Sequence, residues 1–272
     1  VSRVWFSQPL ETVATWWRIH RRDGVALGFT THDADLWFDG ITHQAAPGMV
    51  PSAIRRSADL QPDSAEVTGA ITHGAIAAGD LTAGRFDGAR VAIGLVDWET
   101  LERTTLYRGT IGTVSEEAGA FSAQLQSRKV ELQRDPVPRV SPSCRAEFCG
   151  PGCNLSAARF THEGRVAAHA AGAAGVDLTV DAVADTLRGG VLRWLGGPYA
   201  GLAAGIVSAG RARLLLDMPL DIDIPAGTPV EVREGCDRTL ATCATRFGNA
   251  INFQGEPFVP GNDLLARYGV GK

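Results

Sequence analysis

All five cysteines of this 272-residue chain fall in two short segments. Eight residues separate Cys144 from Cys153, six separate Cys236 from Cys243, and 82 lie between the pairs. The fifth, Cys149, sits inside the first pair. This clustering suggests a single cross-linked site formed by two distant segments. Any fold for the chain must bring those segments together.

Spacing leaves three readings open. Four thiolates suit an iron–sulfur centre, because soft sulfur ligands favour iron, but the gaps do not match a ferredoxin run. Four thiolates also suit structural zinc, although paired zinc ligands usually lie two to four residues apart. Disulfides or plain buried thiols are the third reading. They explain poorly why every cysteine falls in two segments. A thiolate-bound cluster carries negative charge, which Arg145, Arg159, Arg238 and Arg246 would offset from flanking positions; ordinary surface arginines are the competing reading.

Hydrophobic residues make up 44% of the chain and charged residues 21%, as in a soluble globular protein. The net charge is −4, and the only lysines are Lys129 and Lys272. Such a balance argues against a general nucleic-acid binder, which needs clustered basic residues. No apolar run reaches the eighteen residues of a membrane span, and Val1–Leu10 lacks the pattern of a signal peptide. An odd cysteine count without a signal peptide fits synthesis in the cytosol, where thiols stay reduced.

The first third reads as β-structure. Thr15–Arg21 and Val25–Thr31 flank the turn pair Asp23-Gly24, which predicts a hairpin. Asp39-Gly40 divides Asp35–Phe38 from Ile41–Gln44, extending this into a meander over about residues 12–45. Gly79–Phe86 predicts a short helix or irregular element. Arg90–Asp97, Thr104–Arg108, Ile111–Ser115 and Phe121–Gln126 read as further strands, the last two around Glu116–Gly119. Prolines at 136, 138 and 142 interrupt regular structure, so a boundary is expected near residue 134. Beyond it, Arg165–Ala171, Asp177–Val180, Val191–Trp194, Gly205–Ser208, Arg211–Leu216 and Val230–Val232 predict a small barrel. Ala167–Gly175 reads as a strand end or hairpin. Asp237 is the expected N-cap of a short helix over Thr239–Arg246, with Gly248 as its stop. Phe253–Tyr268 reads as extended. The expected architecture is mainly β. A β-rich barrel or sandwich spans 1–133, and a cysteine-bearing region spans 134–272 with a small barrel at about 163–233.

The cysteine segments also carry a resemblance. Ser143-Cys144 through Gly152-Cys153-Asn154 begins the pattern. Gly235-Cys236-Asp237-Arg238-Thr239-Leu240 through Cys243 continues it. Arg246-Phe247-Gly248-Asn249 and Asn252-Phe253-Gln254-Gly255 complete it. Together they resemble the tail hub proteins of gene transfer agents and related long-tailed phages, a plan shared with the minor tail protein L family of lambda-like phages. The resemblance is specific over roughly the last 130 residues. Thr30-Thr31-His32-Asp33 is a weaker signal in the N-terminal half.

The resemblance implies an iron–sulfur cluster, most simply [4Fe–4S], held by Cys144, Cys153, Cys236 and Cys243, with Cys149 a spectator. It implies a structural, non-enzymatic protein of the virion tail tip or baseplate, made in the bacterial cytoplasm. It also implies a homo-oligomeric ring, commonly a trimer, between a distal tail protein and a central fibre or baseplate protein. DNA would pass through the channel without sequence-specific binding.

The competing classes are a zinc-stabilised binding module, a small iron–sulfur oxidoreductase and a peptidoglycan-acting tail component. No nucleophile elbow, Walker loop or zinc-protease motif occurs, and Cys149 has no placed His base. His32, Asp33 and Asp35 are better read as a polar turn than as a second metal site. His20, His43, His73, His162 and His169 are scattered, and are expected at the surface or with their polar atoms satisfied. Trp16, Trp17 and Trp37 are expected in the core or at an interface.

Overall fold

The structure is a computed structural model that describes residues 10–45, 50–51, 64–70, 76–117, 120–127, 129–132 and 137–259. The chain divides into two compact units, 1–135 and 136–272. The boundary expected near 134 falls among residues 133–136, outside the described residues.

The first unit is built on one nine-stranded sheet. Its strands are β1 (Val13–His20), β2 (Ala26–Thr30), β3 (Leu36–Phe38), β4 (Ile41–Ala45), β5 (Val50–Pro51), β6 (Ser64–Ala70), β7 (Arg90–Asp97), β8 (Arg103–Glu117) and β9 (Ala120–Ser127). Short helices α1 (Ala78–Thr82) and α2 (Lys129–Leu132) lie between and after them. The sheet order is β3-β4-β2-β1-β7-β8-β9-β6-β5.

Alternation along β1 explains why both faces of this sheet are covered. Neighbouring strand residues point to opposite faces, and Trp16 and Trp17 are both buried. Trp17 packs with Phe29, Phe86, Ile93, Tyr107 and Leu125. Trp16 packs on the other side with Ala14, Leu36, Phe38 and Val96. Trp37 instead points outward, 67% exposed.

Two expectations for this unit need correction. The β1–β2 hairpin forms with Trp17 opposite Phe29, but the run over 12–45 is no simple meander. Strand β4 inserts between β3 and β2 and runs parallel to β2. Gly28 permits this: a Cβ there would lie 2.7 Å from the Thr42 carbonyl oxygen. Second, Thr104–Arg108 and Ile111–Ser115 belong to one strand, β8. Irregularities at Ile93/Gly94 and Ile111/Val114 kink its ladders without ending them.

The second unit contains a closed barrel of six antiparallel strands. These are β10 (Thr161–Ala168), β11 (Ala173–Val180), β12 (Val191–Trp194), β13 (Ala203–Ala209), β14 (Arg213–Leu220) and β15 (Pro229–Arg233), with α3 (Ala184–Leu187) before β12. Every barrel segment expected from the sequence is a strand, and Ala167–Gly175 spans the β10–β11 hairpin. Leu192, Trp194, Leu214, Leu216, Val230 and Val232 alternate inward and are almost fully buried. Each such side chain contributes about 1.5–3 kcal/mol relative to exposure. The mainly β class is the observed one.

After the barrel comes α4 (Leu240–Thr245). Its N-cap is Thr239, whose hydroxyl accepts from the Thr242 N–H at 3.2 Å, so the expected Asp237 cap is displaced by two residues. Asp237 instead accepts from the Thr239 N–H at 2.9 Å and the Thr242 hydroxyl at 2.7 Å, bracing the turn before the helix. Of the expected extended tail, residues 260–268 lie outside the described residues.

Candidate metal centre

The two cysteine segments meet beside the barrel. Each is anchored by its own backbone. The Cys144 N–H donates to the Arg238 carbonyl at 2.9 Å, and the Arg145 N–H donates to the Gln254 carbonyl at 2.9 Å. On the barrel side, the Glu234 N–H donates to the Phe160 carbonyl and the Gly235 N–H to the Thr186 carbonyl. Gly235 is required by this approach, since a Cβ would lie 1.8 Å from the Arg188 carbonyl oxygen.

Cys144, Cys153, Cys236 and Cys243 all line one small cavity of about 20 Å³. Phe148, Leu155, Phe247 and Phe253 supply much of its wall, and among the described residues no His, Asp or Glu lines it. Phe148, Phe160 and Phe247 form a ring cluster with centroids 4.9–5.4 Å apart. Cys149 is not among the lining residues. It adopts a left-handed backbone, φ 60°, that starts the turn leading to Cys153. Four sulfurs in a largely apolar pocket, with the neutral oxygens of Thr239, Asn249 and Asn252 beside them, suit a thiophilic metal or an iron–sulfur core. Among the described residues, no three His, Cys, Asp or Glu side chains are grouped closely enough to hold a single metal ion.

The sulfurs receive hydrogen bonds from Arg238 and Asn249 in the cavity wall and from Gln254 beside it. The Arg238 N–H reaches Cys236 Sγ at 3.3 Å, and the Gln254 N–H reaches Cys144 Sγ at 3.4 Å. Asn249 Nδ2 donates to the Cys153 carbonyl at 2.7 Å and lies 3.7 Å from its Sγ. Asn249 is buried and held in place by its own N–H on the Cys243 carbonyl. Burial pushes the Cys236 thiol up, assisted by the charges of Asp237, Cys153 and Cys144 and opposed by the Arg238 N–H. Burial and the neighbouring Cys236, Cys144 and Cys153 push Cys243 up as well. Burial and Cys153 do the same to Cys149. A bound cation reverses this balance, because it stabilises every thiolate at once.

The flanking arginines divide. Arg238 lines the cavity. Arg145 pairs with Glu256 at 2.7 Å, Arg159 lies over Phe160, and Arg246 pairs with Glu234 and stacks on Phe247. Those three brace the surrounding loops and do not line the sulfur site. Phe247, Asn249, Phe253 and Gln254 belong to the sequence pattern that carries the resemblance, but their amide and aromatic side chains have no ligand signature that would mark them as site residues.

The discounted positions behave as structure. His32 hydrogen-bonds within its turn through Ala34 and packs on Trp98, and Asp35 accepts from the Ala45 N–H at 2.8 Å. His162 pairs with Glu234, and His169 contacts the Ala173 carbonyl. His73 lies outside the described residues. His43 is completely buried, stacked on Phe38 at 3.7 Å with Arg18 3.2 Å from its Nε2. Among the described residues, no helix is long and apolar enough to cross a membrane.

Two family models match the chain, the first of them running past the unit boundary through the first cysteine segment. The family described as baseplate hub protein, N-terminal attachment domain, matches residues 3–156. The family described as phage conserved hypothetical protein BR0599 matches residues 185–263. No curated protein matches. A chain of the virion of a native gene transfer agent particle is 32% identical, covers 97% of this chain and 94% of its own length, and superposes with a TM-score of 0.84. With a hub-family match over more than half its length and this likeness along nearly all of it, the chain belongs to the phage and gene transfer agent tail hub family.

Proposed function

We propose that this chain is a structural, non-enzymatic hub of a phage-like tail tip. In this reading it forms a ring, most simply a trimer. The ring joins the tail tube and distal tail protein to a central fibre or baseplate protein and lines part of the DNA delivery channel. The hub-family match and the likeness to a virion chain support that role. Cys144, Cys153, Cys236 and Cys243 hold an iron–sulfur cluster, [4Fe–4S] in the simplest form, that clamps the two cysteine segments beside the barrel.

The observation that carries the cluster reading is the shared cavity lined by all four cysteines. Its four thiols support a soft metal centre. A single tetrahedral zinc needs its sulfurs only about 3.8 Å apart, given Zn–S bonds of about 2.3 Å. A multi-iron core accepts wider spacing. The chain's own residues would supply four thiolates, a water-excluding aromatic wall and N–H groups directed at three sulfurs. The cluster would supply a cross-link between segments remote in sequence.

The test is anaerobic purification followed by iron and sulfide analysis and an absorption spectrum. The expected result is iron and sulfide in comparable amounts, with a band near about 400 nm. Cys236→Ser should lose the band and most of the iron, whereas Cys149→Ser should keep both. Zinc in place of iron, or full colour in Cys236→Ser, defeats the cluster assignment.

A further inference from the structure

Away from the cysteines, the first unit carries a groove of about 470 Å³ on the Trp16 face of its sheet. Arg18, Arg90, Arg103 and Arg108 line it, and among the described residues Asp39 is the one carboxylate that does, a local excess of three positive charges. This stands against the −4 net charge of the chain. The strand register builds the groove. Arg18, Ala92 and Arg108 fall in one row across β1, β7 and β8, and His20, Arg90 and Thr110 fall in the next. The small Ala92 side chain leaves the hollow between two arginines.

The four arginines are not equivalent. Asp39 engages Arg18 at 3.2 Å and is held on its other side by Arg103. Both guanidiniums also lie over the Phe38 ring, at 5.7 and 5.3 Å. That pair forms a fixed wall. Arg90 and Arg108 are exposed and pair with no carboxylate among the described residues. Burial, then Arg90 and Arg18, push the His20 pKa down. His20 is therefore neutral near pH 7 and adds no further positive charge.

We propose that this groove is the docking site for an acidic segment of a partner tail protein, with Arg90 and Arg108 taking its carboxylates. The proposal rests on the reading that the first unit attaches the chain within a tail. Guanidinium forks match carboxylates in a bidentate way, and Thr104, Thr105 and Thr110 on the rim offer hydroxyl donors. Nucleic acid fits less well. A duplex needs basic contacts spread along a rod, roughly 6–10 for strong binding, whereas this groove is short, concave and contains Asp39.

The test uses the full chain in fluorescence anisotropy. The probes are a labelled oligoglutamate peptide of about ten residues and, in parallel, a labelled single-stranded DNA of about twenty nucleotides. The expected result is peptide binding that weakens about tenfold between about 50 and 200 mM salt, as screening shortens the reach of the charges. Arg90→Glu/Arg108→Glu should bind at least about tenfold more weakly. The milder Arg90→Gln/Arg108→Gln should weaken binding in the same direction, with an unchanged melting temperature. No peptide binding by the wild-type chain, or binding indifferent to both variants, overturns the proposal. Tighter, variant-sensitive binding of the DNA overturns it in favour of nucleic acid. Incorporation into tail particles separates the two readings. If the wild-type chain is absent from particles, the attachment reading itself fails. If wild type and both variants are incorporated equally, attachment stands and this docking site does not.

Discussion

Asp23 keeps its charge although its side chain is only 4% exposed, because Arg21 and Arg85 both reach it. The hydrogen bond from Arg21 leads the forces that hold its pKa down to about 2, from 3.8. Its contribution is therefore complete above pH 3.8 and lost as pH falls through about 2. Asp23→Asn should cost about 2 kcal/mol at neutral pH, from the size of that shift, and urea titration should show the gap closing as pH approaches 2. His43 has the same sign through a different cause. Burial, aided by Arg18, holds its pKa down to about 4 from 6.5. Folding then leaves His43 neutral where the unfolded chain would protonate it. Stability is complete above pH 6.5 and declines by about 3 kcal/mol as pH falls to about 4. His43→Phe, which keeps a ring on Phe38, should flatten that decline. The burial of His43 was not legible in the sequence. A single histidine in a strand has no marker of what will cover it, and the cover comes from β1 and β3.

At the scale of elements, the turn from Gly235 to Thr239 decides whether the second cysteine pair reaches the barrel. Thr239→Ala removes the α4 cap and should cost about 1 kcal/mol. Gly235→Ala is more severe, because its Cβ would meet the Arg188 carbonyl oxygen at 1.8 Å. It should lower the iron bound per chain several-fold, as metal analysis would read. Gly210→Ala is the matched control, since its nearest neighbour would be 3.5 Å away, and it should bind iron as the wild type does. Element type was well legible here. The barrel strands announce themselves by alternation and by the turn residues between them. Strand order was less so. The Asp23-Gly24 and Asp39-Gly40 turns are local signals, whereas the insertion of β4 beside β2 depends on Gly28 and on packing between strands distant in sequence.

For the whole molecule, two compact units imply two sources of stability. The first rests on a sheet covered on both faces, with the Arg21, Asp23, Asp80 and Arg85 ion cluster tying α1 to the β1–β2 hairpin. The second rests on a barrel core plus whatever joins the cysteine segments. Metal–thiolate links closing a loop of more than 80 residues restrict the unfolded chain and add binding free energy to folding. Calorimetry before and after chelation should therefore show the transition of the second unit fall, with that of the first unchanged. A uniform shift of both, or none, would count against a clamp confined to the second unit.

The sequence by itself determined the mainly β class, a small barrel of five or six strands, the short helix carrying Cys243 and, through its cysteine segments, the family. Alternation, turn chemistry and motif spacing are local properties, written in neighbouring residues. Only the tertiary structure decided the β3-β4-β2 order, the burial of His43, the amide groups aimed at the sulfurs and the basic groove. Each of these depends on residues far apart in the chain, and their meeting is governed by packing and charge rather than by any local pattern.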